Sequence, residues 1–252
     1  MPKFNKLEIT SPENTNNFSV EAVLKDSPQL LKYIEWNNSH PESADKKPMV
    51  YVDEGLELPF PYEALRETAI NLGNIPDIGK KIQRNVDGKI LNYTVISGDK
   101  VRQYLPDIWE LSAKFQPLAE RLWGGPLVPL NEQAAVNINI VPPGGQQGFH
   151  KDRNEVTLLI YLTSNLGGEL EYESDSPAGT QKIRTRAGTF VGLIKANEIS
   201  HRVCPVQEMV VPFGSERVAL VISFGLPDIN YADPSRDKFL YSTDPIENQK
   251  VF

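Results

Sequence analysis

The chain has three histidines, and two of them have neighbours suited to chemistry. His150-Lys151-Asp152 sets an imidazole and a carboxylate two residues apart. On a strand, positions i and i+2 face the same way, so one nitrogen and one oxygen donor from this segment can reach a single ion. His201 follows 49 residues after Asp152, in Ile199-Ser200-His201-Arg202-Val203. Two imidazoles and one carboxylate on one face of an octahedral ion leave the opposite face open to other ligands. Arg217 comes 16 residues after His201, at the start of the apolar run VALVISF. A guanidinium fork is the best side-chain match to a carboxylate, and an Arg among apolar neighbours needs an anion. The third histidine, His40, sits in the polar connector from His40 to Lys47 and reads as a solvated residue.

These residues must be positioned by a scaffold, and the chain changes character near residue 129. Before that point the apolar spacing is helical. Helices are expected from Ser19–Leu24 continuing to Leu30–Ile34, over Pro61–Ile70 with Pro at the start, and as one segment from Asp107 to Trp123 capped by Asp107. Met49–Val52 reads as a short strand, and residues 1–18 as a loosely ordered arm. After Pro129, short β-branched runs alternate with turn residues: 135–140, 156–163, 169–172, 181–184, 189–194 and 218–224. The expected fold class is α+β with a mostly β core. It is a double-stranded β-helix, or jelly roll, under an N-terminal helical layer. A single domain is expected over 1–252, with the helical layer at 1–128, the core and metal site at 129–226, and a tail at 227–252 that is a lid or surface wrap.

Composition narrows the class. Hydrophobic residues make up 40% and charged residues 23%, as in ordinary globular proteins. A net charge of −7 without a Lys/Arg cluster argues against a nucleic-acid partner. No apolar run approaches the length of a membrane span, and the first residues lack the apolar core of a signal peptide. One cysteine, Cys204, excludes an internal disulfide. A cytoplasmic protein is the default expectation.

Four elements occur in a telling order: Gly148-Phe149-His150-Lys151-Asp152, Gly167-Gly168-Glu169-Leu170, His201-Arg202-Val203-Cys204-Pro205-Val206, and Arg217. Together, over about residues 130–226, they resemble the Fe(II)/2-oxoglutarate-dependent oxygenase superfamily, although residues 1–128 match no recognisable pattern. The resemblance implies iron(II) on His150, Asp152 and His201. It also implies 2-oxoglutarate held by Arg217, dioxygen as oxidant, and release of succinate and CO2 as a C–H bond is oxidised. The retained carboxylate at Asp152 implies hydroxylation, desaturation or oxidative cyclisation, since halogenating members have Gly or Ala there. A small-molecule substrate is expected. Some similar fungal enzymes of secondary metabolism oxidise amino acids, in one case to an aziridine, and peptide or prolyl hydroxylases are the rival within the class.

The chain departs from the family pattern in two places. Ala219 stands where many members have Ser, and Asn137 and Asn139 occupy the strand where others have Tyr. Either Asn, or Tyr161, is a candidate contact to 2-oxoglutarate. Each also has an ordinary reading, as an edge-facing polar residue or a core aromatic. Arg153 is a candidate contact to a substrate carboxylate. Arg202 reads as a surface charge, Cys204 as a small buried residue, and Phe149 and Phe190 as packing or pocket walls. Two readings lie outside the class: a cupin-type metalloenzyme that would not need Arg217, and a non-catalytic binding module without metal affinity.

Overall fold

The computed structural model describes residues 28–40, 47–54, 58, 61–86, 89–174, 179–208, 215–234 and 240. The arm, the part of the first expected helix before residue 28, the connector at 41–46 and most of the tail lie outside them. Five helices are described: α1 (Pro28–Ser39), α2 (Tyr62–Gly73), α3 (Gly98–Tyr104), α4 (Pro106–Ala113) and α5 (Gln116–Trp123). The strands are β1 (Met49–Glu54), β2 (Gly79–Val86), β3 (Lys89–Ile96), β4 (Val128–Pro129), β5 (Val136–Val141) and β6 (Gln147–His150). They continue with β7 (Val156–Tyr161), β8 (Leu170–Glu173), β9 (Thr180–Ile183), β10 (Thr189–Ile194), β11 (His201–Val203) and β12 (Arg217–Gly225).

The strands form two antiparallel sheets. The larger runs β1-β10-β7-β12-β5-β3-β2, with β4 paired to the end of β12; the smaller runs β6-β11-β8-β9. Period-two alternation gives the central strands two jobs. On β7, Val156, Leu158 and Ile160 face a core shared with the helices, which includes Leu65, Ile108 and Leu118. Leu159 and Tyr161 face a second core shared with Leu170 and Ile183 of the smaller sheet. β12 divides the same way: Val218, Leu220 and Ile222 face the helices, Ala219 and Val221 the smaller sheet. Covered on both sides, these strands are mostly apolar, and all nine residues of β12 are buried. At about 1.5–3 kcal/mol for each fully buried aliphatic or aromatic side chain, the central strands are the firmest place to hang a site.

Three expectations are corrected. The segment from Asp107 to Trp123 is two helices, broken at Lys114-Phe115. Pro117 has no N–H, and its ring would meet the Ala113 carbonyl in a continuous helix. Leu105 stands at the N-cap, and Asp107 lies in the first turn. Residues 1–128 are more than a helical layer, because β1, β2 and β3 extend the larger sheet at both edges. The β2–β3 hairpin was hidden because β2, GKKIQRNV, carries one apolar interior residue, Ile82, among charged and amide side chains. Finally, His40 is half-buried. Its ring stacks on Trp36 at 4.3 Å, and its Nδ1 lies 2.8 Å from the Trp36 carbonyl at the end of α1.

Candidate active site

His150 ends β6 and His201 begins β11, and the two stand directly opposite each other in the smaller sheet. Their rings lie 4.3 Å apart. Each ring is oriented by its own backbone: His150 Nδ1 lies 2.9 Å from the Gly148 carbonyl, and His201 Nδ1 lies 3.0 Å from the Ile199 carbonyl. With Nδ1 donating to a carbonyl, Nε2 carries the free lone pair that a metal needs. Asp152 lies beyond the end of β6, so a turn and not strand alternation brings its carboxylate to the histidines. Thr157 at the head of β7 donates to Asp152 Oδ2 at 2.6 Å, and Asn154 donates to Thr157 Oγ1 at 2.9 Å. Asp152 Oδ1 lies 3.9 Å from His150 Nε2 and 4.0 Å from His201 Nε2.

These separations are too long for hydrogen bonds but suit ligands of one ion. Metal–ligand bonds of roughly 2.0–2.2 Å place two donors at most about 4.4 Å apart. Both separations from Asp152 Oδ1 fall inside that limit, and the three residues form the candidate metal group found among the described residues. The donor set fits a divalent transition metal. The site is also asymmetric: the His150 side chain is 40% exposed and that of His201 only 6%.

Arg217 is 2% exposed and has no carboxylate within ion-pair distance among the described residues. Its Nε has no hydrogen-bond partner, nor has the buried hydroxyl of Tyr161. The guanidinium lies over the Tyr161 ring at 4.8 Å. Burial pushes the Tyr161 hydroxyl above its ordinary range, and the charge of Arg217 offsets part of that rise. A buried cation with an unsatisfied Nε beside a buried hydroxyl is an environment that suits an anion. The glycine pair Gly167-Gly168 explains itself here: both have φ near +70°, and a Cβ on Gly168 would lie 3.0 Å from Arg217 Cδ.

A cavity of about 460 Å³ opens beside the triad. His150, Asp152, Asn137 and Asn139 line it, as do Leu91 and Tyr93 of the β2–β3 hairpin. Asn137 and Asn139 sit inside β5, opposite Val221 and Ala219 of β12, and are not edge residues. Tyr161, Arg217 and His201 are buried and outside the lining. Phe149, next to His150 on β6, is exposed and only borders the cavity, whereas Phe190 stacks on Phe115 in the helix-facing core. Arg153 lines the cavity and pairs with Asp233. Burial first, then a hydrogen bond to Glu171, pushes the Cys204 thiol up to about 11.

Several contributors escaped the sequence reading. Thr157 bonds the Asp152 carboxylate and Asn154 bonds Thr157, and their signal is polarity at the mouth of an otherwise apolar strand. Tyr231 lines the cavity from the tail; its hydroxyl donates to Glu155 and accepts from the Leu226 N–H. Its ring occupies the space where a Cβ on Gly225 would stand, so that glycine is needed for close approach.

No protein-family model matches the chain, and no curated protein matches it by sequence. Solved structures do match its fold. A 2OG-Fe(II) oxygenase-family oxidoreductase from Burkholderia pseudomallei is 14% identical with a TM-score of 0.54, over 76% of this chain and 90% of that one. The non-heme alpha-ketoglutarate-dependent epimerase SnoN from nogalamycin biosynthesis is 11% identical with a TM-score of 0.56, over 88% and 92%. A prolyl hydroxylase from Trichoplax adhaerens, solved with a hypoxia-inducible-factor peptide fragment, is 16% identical with a TM-score of 0.50, over 78% and 92%. At these identities the likeness is one of fold.

Proposed function

We propose that the chain is an iron(II)- and 2-oxoglutarate-dependent oxygenase, with His150, Asp152 and His201 as metal ligands and Arg217 as anchor for the far carboxylate of 2-oxoglutarate. The observation that carries this reading is the donor set: two Nε2 atoms and one Oδ1 within reach of one ion, each held from behind by a second hydrogen bond. The buried guanidinium of Arg217, whose Nε has no hydrogen-bond partner, supports the co-substrate, since a cupin-type metalloenzyme would have no use for it. The two facing sheets are read as a double-stranded β-helix, and 1–252 as one oxygenase domain.

When bound, iron(II), 2-oxoglutarate and dioxygen supply oxidative decarboxylation and oxidation of an unactivated C–H bond. The protein's part is orientation and exclusion of water. Thr157 fixes which oxygen Asp152 presents. The backbone carbonyls of Gly148 and Ile199 fix the imidazole tautomers. Arg217 and Tyr161 accept one carboxylate in a dry pocket, and Asn137 and Asn139 offer amide N–H groups from the neighbouring strand. Leu91, Val95 and Val221 give the cavity an apolar wall beside these amides.

A cavity of this size suits a small molecule. Amino acids are the first class to test, with hydroxylation, desaturation or ring closure, including aziridine formation, as outcomes. Arg153 is the candidate contact to a substrate carboxylate, exchanging Asp233 for it. A peptide substrate is the second reading, favoured by the likeness to the Trichoplax prolyl hydroxylase.

The test is anaerobic addition of iron(II) and 2-oxoglutarate to metal-free protein. The expected result is a weak visible charge-transfer band, absent in His201→Ala and needing far more 2-oxoglutarate in Arg217→Ala. No band at saturating ligand refutes the proposal. Tight metal binding without a band moves the assignment to a cupin-type enzyme.

A further inference from the structure

The outer face of the smaller sheet carries a row of side chains one residue out of step with the histidines. Phe149 precedes His150 on β6, and Arg202 follows His201 on β11. Arg202 stands opposite Glu171 of β8, which stands opposite Lys182 of β9. The row therefore crosses all four strands. Its centre is tightly bonded: Glu171, only 6% exposed, accepts from Arg202 Nε at 2.9 Å and from its terminal nitrogen at 2.7 Å. Cys204 donates to the same carboxylate oxygen at 3.2 Å, and Lys182 lies 3.8 Å away. The other face of the guanidinium covers the Phe149 ring at 4.7 Å. Burial alone would raise the Glu171 carboxyl, but the bonds from Arg202 and Cys204, with the charges of Arg202 and Lys182, outweigh it and hold the carboxyl below its ordinary range. The reading of Arg202 as a mere surface charge is thus corrected.

The place of this row gives it a purpose. His201 pairs with His150, but Val203 pairs with Gln147, so two residues of β6, Gly148 and Phe149, oppose the single residue Arg202. That is a β-bulge, and bulges re-aim the side chains beside them. A slip of one residue would turn a ligand histidine to the opposite face. Strand β11 has only three residues, so its ladder alone resists such a slip weakly.

We propose that Glu171, Arg202 and Phe149 form a positioning clip on the outer face of the smaller sheet, which locks the bulge and so sets the mutual aim of His150 and His201. This deepens the metal-centre reading and rests on it. None of the three is a ligand, yet metal affinity depends on them. Orienting partners behind metal ligands are commonly worth 10–100-fold in affinity, and the clip acts on two ligands at once.

The test is titration of the metal-free full chain with cobalt(II) alone, followed by its visible absorption, alongside the thermal midpoint without metal. Glu171→Ala is expected to weaken cobalt(II) binding at least tenfold and to shift the band. Glu171→Gln, which keeps one acceptor oxygen, is expected to lie between it and wild type. Phe149→Leu, at a residue 44% exposed and so tolerant of change, is expected to cost several-fold with an unchanged midpoint. It serves as the readout should Glu171→Ala fail to fold. Lys182→Ala, at the exposed end of the row, is expected to bind like wild type. If wild type binds cobalt(II) no better than His201→Ala, the metal-centre reading is overturned and the clip with it. If wild type binds well while Glu171→Gln and Phe149→Leu bind equally well with an unshifted band, the clip alone is overturned.

Discussion

Replacing Arg217 by Met separates an anion receptor from a structural cation, because the two roles predict opposite signs. Without ligand the guanidinium is buried, lacks a carboxylate partner among the described residues and has an unsatisfied Nε. Burying an ion costs several kcal/mol even after relaxation, and stacking on Tyr161 at 4.8 Å returns about 2 kcal/mol. Methionine fills much of the same volume without charge. Metal-free Arg217→Met should therefore be at least as stable as wild type, by about 1–2 kcal/mol. That is roughly 2–8 °C in thermal midpoint for a domain of this size. With ligand the sign reverses. Each hydrogen bond from a charged donor contributes about 1.5–3 kcal/mol, and a bidentate pair about 3–4 kcal/mol after overlap. At about 1.4 kcal/mol per tenfold, the 2-oxoglutarate needed for half-saturation should rise roughly 100- to 1000-fold. The assay is differential scanning calorimetry of the metal-free protein together with anaerobic titration of the charge-transfer band. A midpoint lowered by more than about 4 °C, with an unchanged 2-oxoglutarate requirement, would refute the reasoning.

Three further outcomes are expected. Thr157→Val removes the 2.6 Å bond to Asp152 without changing shape, and iron(II) affinity measured by anaerobic titration should fall about 10–100-fold. Gly168→Ala forces a side chain into φ +67° and against Arg217 Cδ at 3.0 Å; urea unfolding should show a loss of about 1–3 kcal/mol. The Cys204 thiol is raised from 9.0 to about 11. The folded state therefore holds this proton more tightly, and its stabilising contribution is complete below pH 9 and lost as pH rises from about 9 to about 11. Thermal midpoints across that range should decline more steeply in wild type than in Cys204→Ala, and native protein at pH 8 should resist thiol reagents until it unfolds.

The sequence by itself carried the donor types and their order. With three histidines in the chain, the pair His150 and Asp152, the later His201 and a lone Arg before an apolar strand left few ways to build a site. It also carried the central strands, because β7, β10 and β12 are buried on both faces and are therefore mostly apolar, with Thr157 and Arg217 as marked exceptions. What it could not show is whatever depends on partners distant along the chain. Strand alternation alone does not aim His150 and Asp152 together, since Asp152 lies off the strand and is aimed by Thr157 and Asn154. The β2–β3 hairpin was invisible because an edge strand with a solvated face need not be apolar, yet Leu91 and Tyr93 of β3 wall the cavity. Arg153 and Arg202 look alike as flanking charges. Only the fold pairs one with Asp233 of the tail and the other with a buried Glu171. A ligand's identity is local chemistry and is written in the residue; its aim is the sum of contacts from other strands, and only the folded chain brings those together.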